Sequence, residues 1–326
     1  MRSPEHRLAA LALAFVATGV AGCADDDPGA TESSAWSTPN GDAFRLGRVH
    51  VVLEPEADSA DEPYEVFEVT ARFAFVRSLE EDFVRARIGM PVLPADVVTP
   101  GECVPSDSLT ISGSEVHDVP PSSELSLVDA GDLRIRIDGE GGTVFEAPME
   151  LSHVPDLLPY MTSGYFYTFY GEDLPELPDD GRSAMVVVES RASLSEELPE
   201  FRAEGVVPRA LVPYVTEDDL QALADDALVL RWQGRNETET DDGIVTVRLT
   251  GLQGGLPVGS ELTCVLHDQG QVRLSLDTLR TFGLALDAQA LRITYSRMGV
   301  ASFDAGDFIG NEMLVERREK VVLPLR

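Results

Sequence analysis

The chain has 326 residues, with 57 Asp and Glu against 25 Lys and Arg, a formal net charge of −32. A body this acidic repels nucleic-acid phosphates and anionic headgroups, which excludes DNA or RNA as a partner. The length leaves room for about two domains with real hydrophobic cores.

The first element is Leu8 to Cys23, an apolar and small-residue run preceded by Arg2, His6 and Arg7. A basic start, a short apolar centre and small residues before a break are the parts of a secretory signal. A membrane-spanning helix needs about 20 apolar residues, and this run is shorter. Its end, Val20-Ala21-Gly22-Cys23, resembles the lipobox of bacterial lipoproteins: an aliphatic residue, two small ones and the cysteine whose thiol takes the lipid. The resemblance implies a signal peptide over 1–22 and lipidation at Cys23. The protein is then exported and held on the membrane by its lipid, with the outer membrane favoured over the inner. Residues 23–41 are rich in Asp, Ser, Thr, Pro and Gly. They read as an acidic flexible tether that cannot bury a core.

From Phe44 onward the dominant period is two. Strands are predicted at Val49–Leu53, Glu65–Val76, Leu133–Ile137 and Met185–Glu189, where β-branched and aromatic residues alternate with polar ones or run continuously. Pro-rich connections separate them. This gives a β-rich, sandwich-like domain over 42–210 with long loops. Within it the run Tyr165, Phe166, Tyr167, Phe169 and Tyr170 stands out. Exposed on a strand, these rings offer a contact surface for a protein or a sugar; covered on both faces, they form a central strand.

Pro208 to Pro213 marks a boundary. Thr216 to Asp219 has the form of a helix start, with Thr216 as N-cap. Six short alternating strands follow: Leu228 to Trp232, Val245 to Leu249, Leu262 to Leu266, Val272 to Leu276, Leu291 to Tyr295 and Met313 to Leu325. With turn signals between them, they predict an immunoglobulin-like sandwich over 211–326. The fold class is therefore all-β, two antiparallel sandwich domains behind the signal and tether. The tetrapeptide Asp129-Ala130-Gly131-Asp132 recurs at Asp304–Asp307, a match short enough to arise by chance.

With Cys23 assigned to the lipid, Cys103 and Cys264 remain. In an oxidising compartment they form a disulfide across the two domains, unless Cys264, on the apolar face with Leu262 and Leu266, stays a buried thiol. No pair of cysteines has metal-ligand spacing. Acidic pairs such as Asp179-Asp180 and Asp241-Asp242 lack the spaced calcium loop and read as solvated charge. The sequence has no G-x-S-x-G, H-E-x-x-H or S-x-x-K motif, and His50, His117, His153 and His267 are scattered. Cys264 and His267, three apart on a strand, point to opposite faces. No cofactor, metal ligand set or catalytic residue is assigned.

The Ala130-Gly131-Asp132-Leu133 turn, Trp232, and Cys264 followed by Asp268-Gln269-Gly270 and the Leu276 to Leu279 turn resemble a group of lipoproteins of myxobacteria and related Gram-negative bacteria. That group carries no established activity, so the resemblance implies location and β-sandwich fold, not chemistry. The expectation is a non-enzymatic binding or scaffolding module whose partner is an envelope protein or glycan. The alternative is an envelope hydrolase, glycan- or ester-active, on the same platform.

Overall fold

The computed structural model describes residues 43–325 except 57–63, 78, 80–83, 85–92, 110–123, 155–162, 172–183, 192–197, 217–225, 234–242 and 309. The expected signal, lipobox and tether, the Thr216 to Asp219 helix start beyond Thr216, and His117 lie outside the described residues.

The fold is nearly all β, with large and mostly antiparallel sheets. It begins with a long pair, β1 (Ala43–Glu56) and β2 (Tyr64–Arg77), in register from Ala43 opposite Arg77 to Glu56 opposite Tyr64. Alternation sends Val49, Val51 and Leu53 of β1 and Phe67, Val69, Ala71 and Phe73 of β2 into one core, all fully buried. Each such side chain contributes about 1.5–3 kcal/mol when buried. Burial of that face specifies the register, since a slip of one residue would turn every one of these side chains outward.

Next come β3 (Cys103–Pro105), β4 (Glu124–Leu127), β5 (Asp132–Gly139), β6 (Gly142–Pro148), β7 (Glu150–Val154), β8 (Ser163–Gly171), β9 (Met185–Arg191) and β10 (Arg202–Val206). The later part adds β11 (Ala227–Arg231), β12 (Ile244–Gln253), β13 (Leu256–His267), β14 (Gln271–Ser275), β15 (Ala290–Ser302) and β16 (Glu312–Pro324). Helical structure among the described residues is short: Pro94–Val97, a single 3-10 turn Ser106–Leu109, and Leu276–Thr281. Leu276, expected as the end of a strand, instead opens that last helix and buries its side chain with Leu279.

Ten strands make one sheet in the order β3-β13-β12-β15-β16-β1-β2-β4-β8-β7. A four-stranded sheet, β10-β9-β5-β6, lies over part of it, and the two share a core of Val49, Phe67, Phe73, Ile135, Val186, Val188, Ala203 and Val315, among others. One stretch of chain serves both layers. β6 is an edge of the small sheet and β7 an edge of the large one, with buried Met149 between them donating its N–H to the Leu133 carbonyl. On the other side β10 comes close to β16 because Gly205 has no side chain. A Cβ there would stand 2.5 Å from Val315 Cγ2.

The second core gathers Trp232, Val245, Val247, Leu249, Leu262, Cys264, Leu279, Leu291, Ile293 and Tyr295 between β12, β13 and β15 and the two-stranded ribbon β11-β14. Along the chain Val207 belongs to the first core and Leu211 to the second, but Ala305, Phe308, Met313 and Val315 return to the first, so the expected boundary at 210/211 does not part the two cores cleanly. It does not separate two sheets. β16, near the C-terminus, pairs in parallel with β1, near the start, and β3 of the earlier part pairs with β13 of the later one. All the described residues belong to one compact unit, Trp36–Arg326.

The two Asp-Ala-Gly-Asp segments fold alike. In each, the first aspartate accepts a hydrogen bond from the glycine N–H, Gly131 to Asp129 at 2.8 Å and Gly306 to Asp304 at 3.1 Å. Both glycines have positive φ, and both alanines, Ala130 and Ala305, are buried in the first core. The side-chain turn and the glycine conformation are what aspartate and glycine supply at this spacing.

Candidate functional site

Among the described residues, three places stand out as candidate sites. The first is the face of the large sheet opposite the first core. On it β1, β15 and β16 bring His50, Ser296, Glu316 and Arg318 together. Glu316 is 3% exposed. Its Oε1 accepts from Ser296 Oγ at 2.6 Å and from Arg318 Nε at 2.9 Å. Its Oε2 accepts from the second Arg318 nitrogen at 2.7 Å and from His50 Nε2 at 3.2 Å. Burial alone would raise the carboxyl's pKa. The hydrogen bonds from His50 and Arg318 and the Arg318 charge outweigh burial and hold it well below the usual carboxylate range. Arg318 also reaches Glu54 at 3.4 Å, and Lys320 pairs with Glu54.

This grouping contains a serine, a histidine and a carboxylate, but not in the arrangement of a nucleophile relay. There the histidine takes the serine proton and the acid orients the histidine. Here Ser296 and His50 both donate to the same carboxylate. Four donors occupy its two oxygens, which makes Glu316 a clamp across β1, β15 and β16. Neither Ser296 nor Glu316 stood out in the sequence. Glu316 opens the charged run Glu316–Lys320, and nothing in that run marks it off from Glu319.

The second place is the Cys103–Cys264 disulfide, which joins directly opposed residues of β3 and β13 across 161 positions of sequence. Beside it opens a cleft of about 530 Å³. It is lined by Glu102, Cys103 and Val104 from the β3 side, by Arg273, Ser275 and Thr278, and by Leu279 and Phe282. A shallower depression of about 570 Å³ lies between Glu189, Glu200, Arg202 and Asp304.

The third is the aromatic run on β8, where most of the rings are covered rather than offered as a contact surface. β8 lies inside the large sheet, with β2 and β4 to one side and β7 to the other. Tyr167 is buried in the first core, where its hydroxyl donates to Asp129 Oδ1 at 2.6 Å and accepts from the Ala130 N–H at 2.7 Å. Phe169 packs on the same core. Phe166, on the opposite face, packs against a third cluster formed by Leu46, Ala74, Val76, Val84 and Leu127, with Arg72 over its ring. Tyr165 lies against His153, with the ring centroids 5.1 Å apart and the planes tilted by 51°. Tyr170 is exposed. Alternation divides the rings between two faces, and both faces have something to cover.

His267 is exposed at the end of β13 while Cys264 is buried, so they do not meet. Among the described residues no group of three or more His, Cys, Asp or Glu is placed to hold a metal ion, and no helix is long and apolar enough to cross a membrane.

No family model matches the chain, and no curated protein matches it. Among solved structures, the Fcho1 Mu homology domain of Danio rerio, solved with a bound Eps15 peptide, aligns over 85% of this chain and 93% of that one. The identity is 8% and the TM-score 0.23.

Proposed function

We propose that the protein is an exported, lipid-anchored module of the cell envelope that binds or scaffolds a partner without catalysing a reaction. Lipid on Cys23 holds it to a membrane, the outer rather than the inner. Its partner is an envelope protein or glycan. The observation that carries this reading is the Cys103–Cys264 bond. Such bonds persist in oxidising compartments, which is where a signal ending in Val20-Ala21-Gly22-Cys23 delivers a chain. The presence of two hydrophobic cores supports a further part of the proposal: the body acts as two sandwich-like lobes.

The hydrolase reading has one observation in its favour, the nearness of Ser296, His50 and Glu316. It is the weaker of the two because Ser296 spends its proton on the carboxylate, and His50 does the same.

The test is twofold. In cells fed a labelled fatty acid, the wild-type chain takes up label and Cys23→Ala does not. The purified body shows no ester or glycan turnover that depends on Ser296 or His50. Turnover abolished by Ser296→Ala would replace the binding reading with the hydrolase one.

A further inference from the structure

The cleft beside the disulfide combines features that none of the rest of the account uses. Its floor is apolar: Leu279 is buried, and Phe282 is partly buried against the second core. Arg273 of β14 and Glu102, next to β3, both line it. Neither has an ion-pair partner among the described residues, and they do not pair with each other. Other arginines of the chain find a carboxylate, as Arg136, Arg280, Arg297 and Arg318 do. Arg273 instead faces a space with a negative group across it.

The strand on the Glu102 side adds backbone chemistry. Among the described residues β3 is an end strand of the large sheet and pairs with β13 alone. Val265 donates to the Glu102 carbonyl at 3.0 Å, and Gly101 donates to the Val265 carbonyl at 2.7 Å. Bonded and non-bonded positions alternate along an antiparallel pair. Cys103, opposite Cys264, therefore turns its own N–H and C=O to the outer edge. The disulfide fixes that edge in place.

We infer that this cleft binds a short apolar peptide with free ends. Its carboxylate meets Arg273, its ammonium meets Glu102, its backbone meets the Cys103 edge, and its side chains cover Leu279 and Phe282. A volume of about 530 Å³ lies within the range of small-ligand sites, about 300–1,000 Å³. The opposed charges select a zwitterion over a plain acid or amine, and an open strand edge selects an extended backbone. The inference rests on the binding-module reading and names what the module takes.

The probe is the tripeptide Val-Leu-Phe, titrated calorimetrically into the full chain in detergent. It is used with free ends, with an amidated C-terminus and with an acetylated N-terminus. The free-ended form binds, and each blocked form binds about fivefold more weakly, as expected for one exposed ion pair. Arg273→Gln weakens the free-ended form equally and no longer distinguishes acid from amide. Glu102→Gln does the same for the amino end. Both side chains are exposed, so neither change threatens the fold, and an unaltered unfolding midpoint checks this. If all three forms bind alike, or none binds up to about 1 mM, the inference is overturned. Cleavage of the tripeptide would sink the non-enzymatic reading while supporting the ligand class. Loss of membrane anchoring would sink the anchor and leave the cleft untouched.

Discussion

Arg297 and Asp268 form a two-pronged ion pair in the interior, with Arg297 Nε 2.8 Å from Oδ2 and a second nitrogen 2.9 Å from Oδ1. Their side chains are 5% and 2% exposed. Asp268 also accepts from the Trp232 indole at 2.7 Å. Arg297 donates onward to the carbonyls of Arg209, Ala210 and Gln233. One guanidinium thus ties β15 to the chain that passes from the first core to the second, and to the end of β11. Arg297 stands on β15 beyond Leu291, Ile293 and Tyr295, where the second core ends.

Removing one partner leaves a buried charge uncompensated, which typically costs about 3–5 kcal/mol. Asp268→Ala is predicted to lower the denaturation free energy by that order. The pair Asp268→Ala with Arg297→Met is predicted to lose less than Asp268→Ala alone, because the orphaned charge is gone. Urea unfolding of the three proteins measures it. Equal losses in the single and double variants would mean the pair is not the junction described.

Glu316 sets an acid limit. Its folded pKa lies below the ordinary carboxyl value of 4.5, so the stability it contributes is complete above that pH. It is lost as pH falls from there toward the depressed folded value. Unfolding free energy measured from pH 6 down to about pH 3 should fall more steeply in the wild type than in Glu316→Gln. Parallel curves would contradict the clamp.

Tyr167→Phe removes a hydroxyl that bonds Asp129 and satisfies the buried Ala130 N–H. A donor left without a partner costs about 1–3 kcal/mol. The loss should appear as a lower unfolding midpoint, with no effect on peptide binding, since β8 and the cleft share no strand.

The Cys103–Cys264 bond closes a loop of 161 residues. In the chain-entropy picture a loop of that size is worth about 5 kcal/mol against the unfolded chain. Cys103→Ala with Cys264→Ala should lose a large part of this, and the wild type alone should change gel mobility on reduction. Identical mobility with and without reductant would contradict the bond.

The sequence made the strands legible because their signal is local. Val49–Leu53, Glu65–Val76, Leu133–Ile137 and Met185–Glu189 all lie within strands, as do Val245–Leu249 and Leu291–Tyr295. Period-two burial is written into neighbouring residues. Which strands become partners is not. The parallel contact of β1 with β16 joins residues 264 positions apart, Arg48 with Glu312, and nothing near either one announces it. The same holds for Glu316, whose donors come from β1, β15 and its own strand. The aromatic run was legible as a strand, but its cover was not. The residues that bury Phe166, such as Leu46 and Leu127, come from β1 and β4.

The lipid proposed at Cys23 is tested most directly by fractionation. Wild type and Cys23→Ala are expressed side by side, and membranes are separated from soluble material after high-salt and carbonate washes. Stable anchoring requires more than one acyl chain, each buried CH₂ contributing about 0.8 kcal/mol, so salt or carbonate does not strip the wild type. The wild type stays with the membrane at its processed size. Cys23→Ala either appears in the soluble fraction or remains an uncleaved precursor. A Cys23→Ala protein that sediments and migrates like the wild type would contradict the account.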